Sequence, residues 1–307
     1  MTFRRCAGFT LIEAIVVIVI TGILASVVAV FIKGAIDAYV ASARRADISD
    51  VADTAVRRIA RDIHLALPNS VRNPSGGSDQ CVEFMPTKVG ARYRAAKTSS
   101  GTGDALDFSV VDGSFDMLWP NSSLPATMRI AAGDVLVVYN DGSGNADCSG
   151  SVGSGTAGGN AYCGYNAIQV ATVGTEAAGI TPINFVDTVT AAPFNQKRLP
   201  GESPYYRFQA IPSNEHVAAY VCSGGTLTRY SRMLSAARTV PADCTAMATG
   251  ATAAILAENV SACSIKYEPP GSSTGLSMNG ILQISLTVTQ SGESVKLYHQ
   301  VHVDNTP

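Results

Sequence analysis

The chain has 307 residues and is short of charge, of histidine and of tryptophan. Each shortage removes a class of function. Charged residues are 15% of the chain, the formal net charge is −2, and the basic residues form no cluster. A nucleic-acid-binding face needs such a cluster, so no nucleic-acid partner is expected. The histidines are four, His64, His216, His299 and His302. None has a convincing cysteine or carboxylate partner in sequence. His299 and His302 spell H-x-x-H, but residues three apart on a strand point to opposite faces, so a shared metal is not expected. There is no C-x-x-C, which argues against a zinc ribbon or a thioredoxin-like site. There is no Walker loop. No catalytic residue is expected, no cofactor, and no enzymatic activity. The lone Trp119, beside Pro120, reads as a packing anchor.

One long apolar run stands against this background. Residues 9–32 contain a single charged side chain, Glu13. As a helix they would extend roughly 36 Å, enough to cross a hydrocarbon core of about 30 Å. No proline interrupts them. Arg4 and Arg5 precede the run and Lys33 follows it, a bias that favours a cytoplasmic N-terminus and an exported remainder. The run exceeds the roughly 7–15 apolar residues of a secretory signal. A plain signal anchor would explain the length but not Glu13, because a carboxylate in a spanning helix is costly.

The spelling around that carboxylate is informative. "GFTLIE", residues 8–13, follows a short leader with two arginines and precedes "TGILA" at 21–25. This resembles the processing site of type IV pilins and type II secretion pseudopilins. The resemblance implies cleavage by prepilin peptidase between Gly8 and Phe9 and N-methylation of the new Phe9 amine. Gly8 suits a crowded scissile site because it has no side chain. In that family the carboxylate at the Glu13 position pairs with the terminal amine of a neighbouring subunit, which offsets the cost of a lone charge in a fibre core. Further on, "YVCSGGTLTRY", "AENVSACSIKYEP" and "LYHQVHVDNTP" are similar to the larger minor pilins of the MshO type. The PilW minor pilins and the J pseudopilins share the plan.

The resemblance implies an inner-membrane protein with one pass and a periplasmic head that enters a pilus after processing. Its partners would be other minor pilins, the major pilin, prepilin peptidase, the inner-membrane assembly machinery and membrane lipid. A head this large packs poorly into a repeating shaft, so a role in priming or capping assembly is expected. A type II secretion pseudopilin and a pilus-tip adhesin are the other two readings.

Seven cysteines are present, and Cys6 leaves with the leader. The remaining six allow up to three disulfides, in 15 pairings. Cys148 with Cys163 is the first choice because it closes a Gly-rich loop. Cys222 with Cys244 is next, and Cys81 with Cys263 follows by elimination.

Helical spacing continues past the span. Ile36, Val40, Ala43, Ile48, Val51, Ala55, Ile59, Ile63 and Leu67 mark one apolar stripe. Asp53 and Arg57 stand at i,i+4 in the favourable order. Pro68-Asn69 is a stop signal. One helix over 9–67 is therefore expected, apolar all round at first and amphipathic later.

After it the period becomes alternating. "CVEFMP", "ALDFSVV", "GDVLVVYN", "AIQVATV", "YYRFQAIP", "HVAAYVCS", "TLTRYSR", "CSIKYEP", "GILQISLTVTQ" and "SVKLYHQVHV" read as strands. Gly224-Gly225 and Ser291-Gly292 read as hairpin turns. "AAILAENV" reads as a short helix or a linker.

The fold class is α+β: a long N-terminal helix packed on an antiparallel β-sheet domain. The division is a leader at 1–8, a transmembrane and assembly helix at 9–32, its amphipathic continuation at 33–67, and a β-rich globular domain at 68–307.

Residues 143–164 are rich in Gly, Ser and Ala and read as an exposed loop that supplies nothing to the core. Within "DGSGNAD", Asp141, Ser143, Asn145 and Asp147 alternate as oxygen ligands do in calcium loops. No glutamate closes such a loop at its twelfth position, where Val152 stands, and a polar hairpin tip is the other reading.

Overall fold

The structure is a computed structural model and describes residues 8–143, 148, 158–187, 194–234, 241–271 and 279–307. It opens with one uninterrupted helix, α1 (Leu11–His64). There is no proline to break it, and it ends one turn before Pro68, as the stop signal requires. Leu65 closes it, and Asn69 turns the chain with a positive φ of 58°.

The strands follow as β1 (Cys81–Phe84), β2 (Val89–Arg92), β3 (Ser114–Met117), β4 (Val135–Val138), β5 (Ala167–Val173), β6 (Thr181–Phe185), β7 (Arg207–Ile211), β8 (Val217–Ser223) and β9 (Thr226–Arg232). A short helix, α2 (Cys244–Ala248), precedes β10 (Thr252–Ala257), β11 (Val260–Glu268), β12 (Asn279–Gln290) and β13 (Glu293–Asp304). They form three antiparallel sheets, β1-β8-β9-β10, β11-β12-β13 and β2-β7-β4-β5-β6-β3. Both expected hairpins are present, β8–β9 across Gly224-Gly225 and β12–β13 across Ser291-Gly292. All four turn residues hold positive φ, the conformation that the favoured two-residue hairpin turns demand.

The first core lies between the last four turns of α1 and two sheets. Ile48, Ala52, Ala55, Val56, Ile59 and Ile63 pack on Val82, Phe84 and Tyr220 of one sheet and on Leu282, Ile284, Leu286 and Val301 of another. The β12 strand alternates buried and half-buried residues over nearly its whole length, so its period of two delivers one face to the helix. Each fully buried isoleucine contributes on the order of 2–3 kcal/mol of transfer free energy.

A second core fills the six-stranded sheet, whose two ends are drawn together by a bridge between Tyr93 and Met117 and by Leu118 N–H donating to Arg92 C=O. In β4, Leu136 and Val138 enter that core while Val135 and Val137 enter a third one with Leu67, Met85 and Phe194. That explains an unbroken apolar run in a single strand: both of its faces are covered.

Several expectations need correction. "ALDFSVV" is no strand; the pairing strand in that region is β3, a few residues later. "AAILAENV" is neither helix nor linker: it contains β10, and the chain then turns at Asn259 with φ 58°. Its alanines favour helix, but pairing with β9 overrides the local preference. The apolar stripe of α1 is shorter than its spacing suggests, because Ile36, Val40, Ala43 and Val51 remain exposed.

The 143–164 segment does supply core. Ala161, Tyr162 and Cys163 are buried, with the Tyr162 ring under the Arg72 guanidinium at 3.4 Å and its O–H donating to Ser70 C=O at 2.8 Å. Averaged composition hides one aromatic residue with two good partners.

Cys148 and Cys163 are bonded, with Cα atoms 5.1 Å apart. The other two pairs are Cys81–Cys244 and Cys222–Cys263, not Cys222–Cys244 and Cys81–Cys263. Strand alternation decides this. Cys81 lies opposite Val221 on the neighbouring strand, so the side chain of the next residue, Cys222, points to the other face. Cys81 faces α2 and reaches Cys244, whereas Cys222 faces β11 and reaches Cys263.

Candidate functional site

Thr10 caps α1. Its Oγ1 accepts the Glu13 N–H at 3.4 Å, and its hydroxyl lies 3.5 Å from Glu13 Oε2. The spelling is T-x-x-E with the N-cap bond made, and the acidic residue of the first turn complements the positive end of the helix dipole. The motif was readable in "TLIE" but was not singled out there. Glu13 therefore has a role within its own chain besides the one the resemblance implies.

From there to Ile32 the apolar side chains lie exposed, and none of the most apolar 18-residue window is covered by the other described residues. The hydroxyls within it are internally satisfied. Thr21 donates to Val17 C=O at 2.7 Å and Ser26 to Ile23 C=O at 2.7 Å. In hydrocarbon, where water cannot serve them, that removes a cost of several kcal/mol, of order 2–7 per group. Gly22 meets nothing within 4 Å of where a Cβ would stand. A helical glycine costs about 1 kcal/mol relative to alanine, and no packing among the described residues offsets it.

The other half of α1 is tied to the head by charge as well as by packing. Asp62 accepts the Tyr220 hydroxyl at 2.7 Å and Arg229 Nε at 2.9 Å. Arg229 also grips Glu215 through both terminal nitrogens, at 2.6 and 3.1 Å. Burial, and then the Asp62 carboxylate beside it, push the Tyr220 phenol well above its ordinary range. Farther up the helix Arg45 meets Glu293 at 2.5 Å, and the expected Asp53–Arg57 pair forms at 2.6 Å.

At the helix exit Asn69 N–H donates to Asn305 Oδ1 at 3.0 Å. Its amide donates to Asn140 C=O at 2.8 Å and to Asn305 C=O at 3.0 Å. Three segments far apart in sequence thus meet where the helix joins the head.

Beneath this joint Glu83 is fully buried. One carboxylate oxygen takes Arg72 and the other takes Arg232, each at 2.6 Å. With both oxygens engaged, the cluster braces β1 against β9 and the Arg72 segment. Nothing in the sequence flagged it, because its members are 11 and 149 residues apart. Removing one partner from such a cluster typically costs about 3–5 kcal/mol.

The other sequence candidates are scattered. His216 is buried, accepts Leu234 N–H through Nδ1 at 3.2 Å and meets the Phe194 ring edge-on. Burial lowers its pKa to about 4. His64 is exposed on α1, and His299 and His302 are exposed on β13. Trp119 is no packing anchor, because 54% of it is exposed. Of the calcium candidates, Asp141 and Ser143 hold Gly159 N–H at the loop base, while Asn145 and Asp147 lie outside the described residues. Among the described residues no three metal-ligating side chains cluster.

The prokaryotic N-terminal methylation motif matches residues 3–29. No curated protein and no solved structure matches the chain. The motif implies processing by prepilin peptidase and assembly with pilus machinery, and the match runs into the apolar part of α1 that the described head residues leave uncovered. Together they mark a type IV pilin-like or pseudopilin protein that its N-terminal helix anchors in a membrane.

Proposed function

We propose that this protein is a minor type IV pilin, of the MshO kind, that primes or caps pilus assembly after cleavage between Gly8 and Phe9. One observation carries the reading. The helix is sharply divided, with an apolar first half that none of the described residues covers and a second half built into the head. A membrane covers the first half before assembly, and neighbouring helices cover it afterwards. The single pass then has its N-terminus in the cytoplasm and its head in the periplasm. Glu13 docks on a neighbour's terminal amine, and Gly22 lets a neighbouring helix approach closely. The head selects which subunits fit, and the protein has no turnover of its own.

Deleting the gene tests this. Surface pili should become scarce while the major pilin is still made and processed. Glu13→Val should still insert and be cleaved but should enter pili poorly. Normal pilus numbers with lost attachment would replace this reading with a tip adhesin. Intact pili with an exoprotein trapped in the periplasm would make it a secretion pseudopilin.

A further inference from the structure

Trp119, the chain's only tryptophan, stands half-exposed at the rim of a cavity of about 420 Å³ between β2 and the segment after β3. Leu118, Leu124 and Ala91 supply apolar wall, and Arg92 supplies charge. The size falls within the roughly 300–1,000 Å³ of small-molecule sites.

Three features make this more than a surface hollow. First, Arg92 lies directly opposite Arg207 across β2 and β7. Facing residues share one side of a sheet, and like charges there repel. Among the described residues neither arginine makes an ion pair. An anion between them would remove the repulsion.

Second, the backbone is open there. Arg92 C=O accepts from Leu118 N–H at 2.9 Å, so it points away from β7. Strand alternation turns the N–H and C=O of Gly90 to the same free edge. Gly90 adds no side chain to fill the space.

Third, the chain leading into Arg207 is strained. Tyr205 and Tyr206 both hold positive φ, 61° and 57°, which is costly for residues other than glycine. Tyr206 is secured by its C=O to Tyr93 N–H and by its ring against Tyr93, and Tyr205 is left outward with Arg207 over its ring at 5.2 Å.

We propose that this cavity binds an acidic saccharide. The C–H face of a pyranose ring would lie on Trp119 and Leu124, its carboxylate on Arg92 at the cavity wall with Arg207 beside it on the neighbouring strand, and its hydroxyls on the edge-facing backbone groups of Gly90. A purely apolar peptide would leave the two arginines facing each other unneutralised. The inference stands apart from the assembly reading, and Arg92→Gln leaves pilus number unchanged if both hold.

The lone tryptophan makes the test direct. Full-length protein in lipid nanodiscs is titrated with trigalacturonate, and with maltotriose as the neutral control, while Trp119 emission is followed. A saturable change with the acidic trisaccharide is expected, with roughly tenfold weaker binding of the neutral one. Arg92→Gln should weaken trigalacturonate by roughly tenfold, as loss of a charge-assisted hydrogen bond does, with thermal unfolding of the ligand-free protein no lower than the parent's. Binding to Trp119→Phe, measured by calorimetry, should also weaken. No saturable change, equal binding of the two sugars, or Arg92→Gln binding as the parent does would each overturn the proposal. So would undiminished calorimetric binding to Trp119→Phe, which would place the anion elsewhere.

Discussion

The two halves of α1 obey the same helical geometry and have opposite fates. Before Ile48 the isoleucines, valines and leucines are exposed; from Ile48 to Ile63 one stripe of them is buried beneath two sheets. Apolar content does not account for the difference, because the exposed half is the more apolar. What differs is the distribution. Apolar residues all round a helix cannot be satisfied by one flank of a β-domain, since most of the circumference would still meet water. A single stripe can. The first half is therefore shaped for a surrounding medium and the second for a surface, and the chain supplies only the surface.

Processing probes the first half most severely. Gly8→Leu should crowd the scissile bond and abolish cleavage, leaving unprocessed full-length protein on immunoblots with a head that unfolds at its normal temperature. Mature protein of normal size from this variant would break the link between the uncovered half and the processing signal.

A matched pair of truncations reads the comparison directly. Ile59 is fully buried and Ile20 is exposed. Ile59→Ala should destabilise the head by about 2–5 kcal/mol, through lost transfer energy and the cavity left behind. Ile20→Ala should leave head stability unchanged within about 0.5 kcal/mol. Urea unfolding of the full chain in detergent measures both, and equal losses would show that the two halves share one cooperative core.

The smallest effect concerns pH. In the unfolded chain His216 takes up a proton near its ordinary pKa of 6.5, and in the folded protein only near 4. The unfolded state therefore binds more protons between those values, and stability falls as pH drops through that window, by on the order of 1–3 kcal/mol. His216→Gln should lose less stability than the parent between pH 7 and pH 4.5. Identical losses would assign the acid sensitivity to groups other than His216. Because the head and the span are uncoupled in this view, membrane insertion should not change over the same range.

Much of this was legible without coordinates. The helix and its end at Pro68-Asn69 follow from periodicity and the missing proline. The two hairpins follow from Gly224-Gly225 and Ser291-Gly292, and the long β12 and β13 from alternation. The Cys148–Cys163 bond follows from closeness in sequence. The opening residues could be read because their chemistry is local: a small residue at the cleavage point, a carboxylate in the first turn, an apolar run beyond.

The rest depended on which faces meet. The apolar stripe was drawn too long because spacing gives a direction around the helix but not the point where the sheets begin. The β10 strand was missed because its alanines favour helix, and only the neighbouring β9 edge makes it extended. Trp119 reads as an anchor in sequence because its neighbours do not reveal how much of it the fold covers just beyond β3.

By itself the sequence determined the long helix, the α+β class, the hairpins and the N-terminal signal, all of which rest on interactions between residues a few positions apart. Only the tertiary structure decided how the remaining cysteines pair, where Glu83 finds its two arginines, and which apolar residues are left outside. Those outcomes depend on strand register and sheet faces. A shift of one residue there moves every side chain to the opposite side, and no local pattern records which partner waits on each.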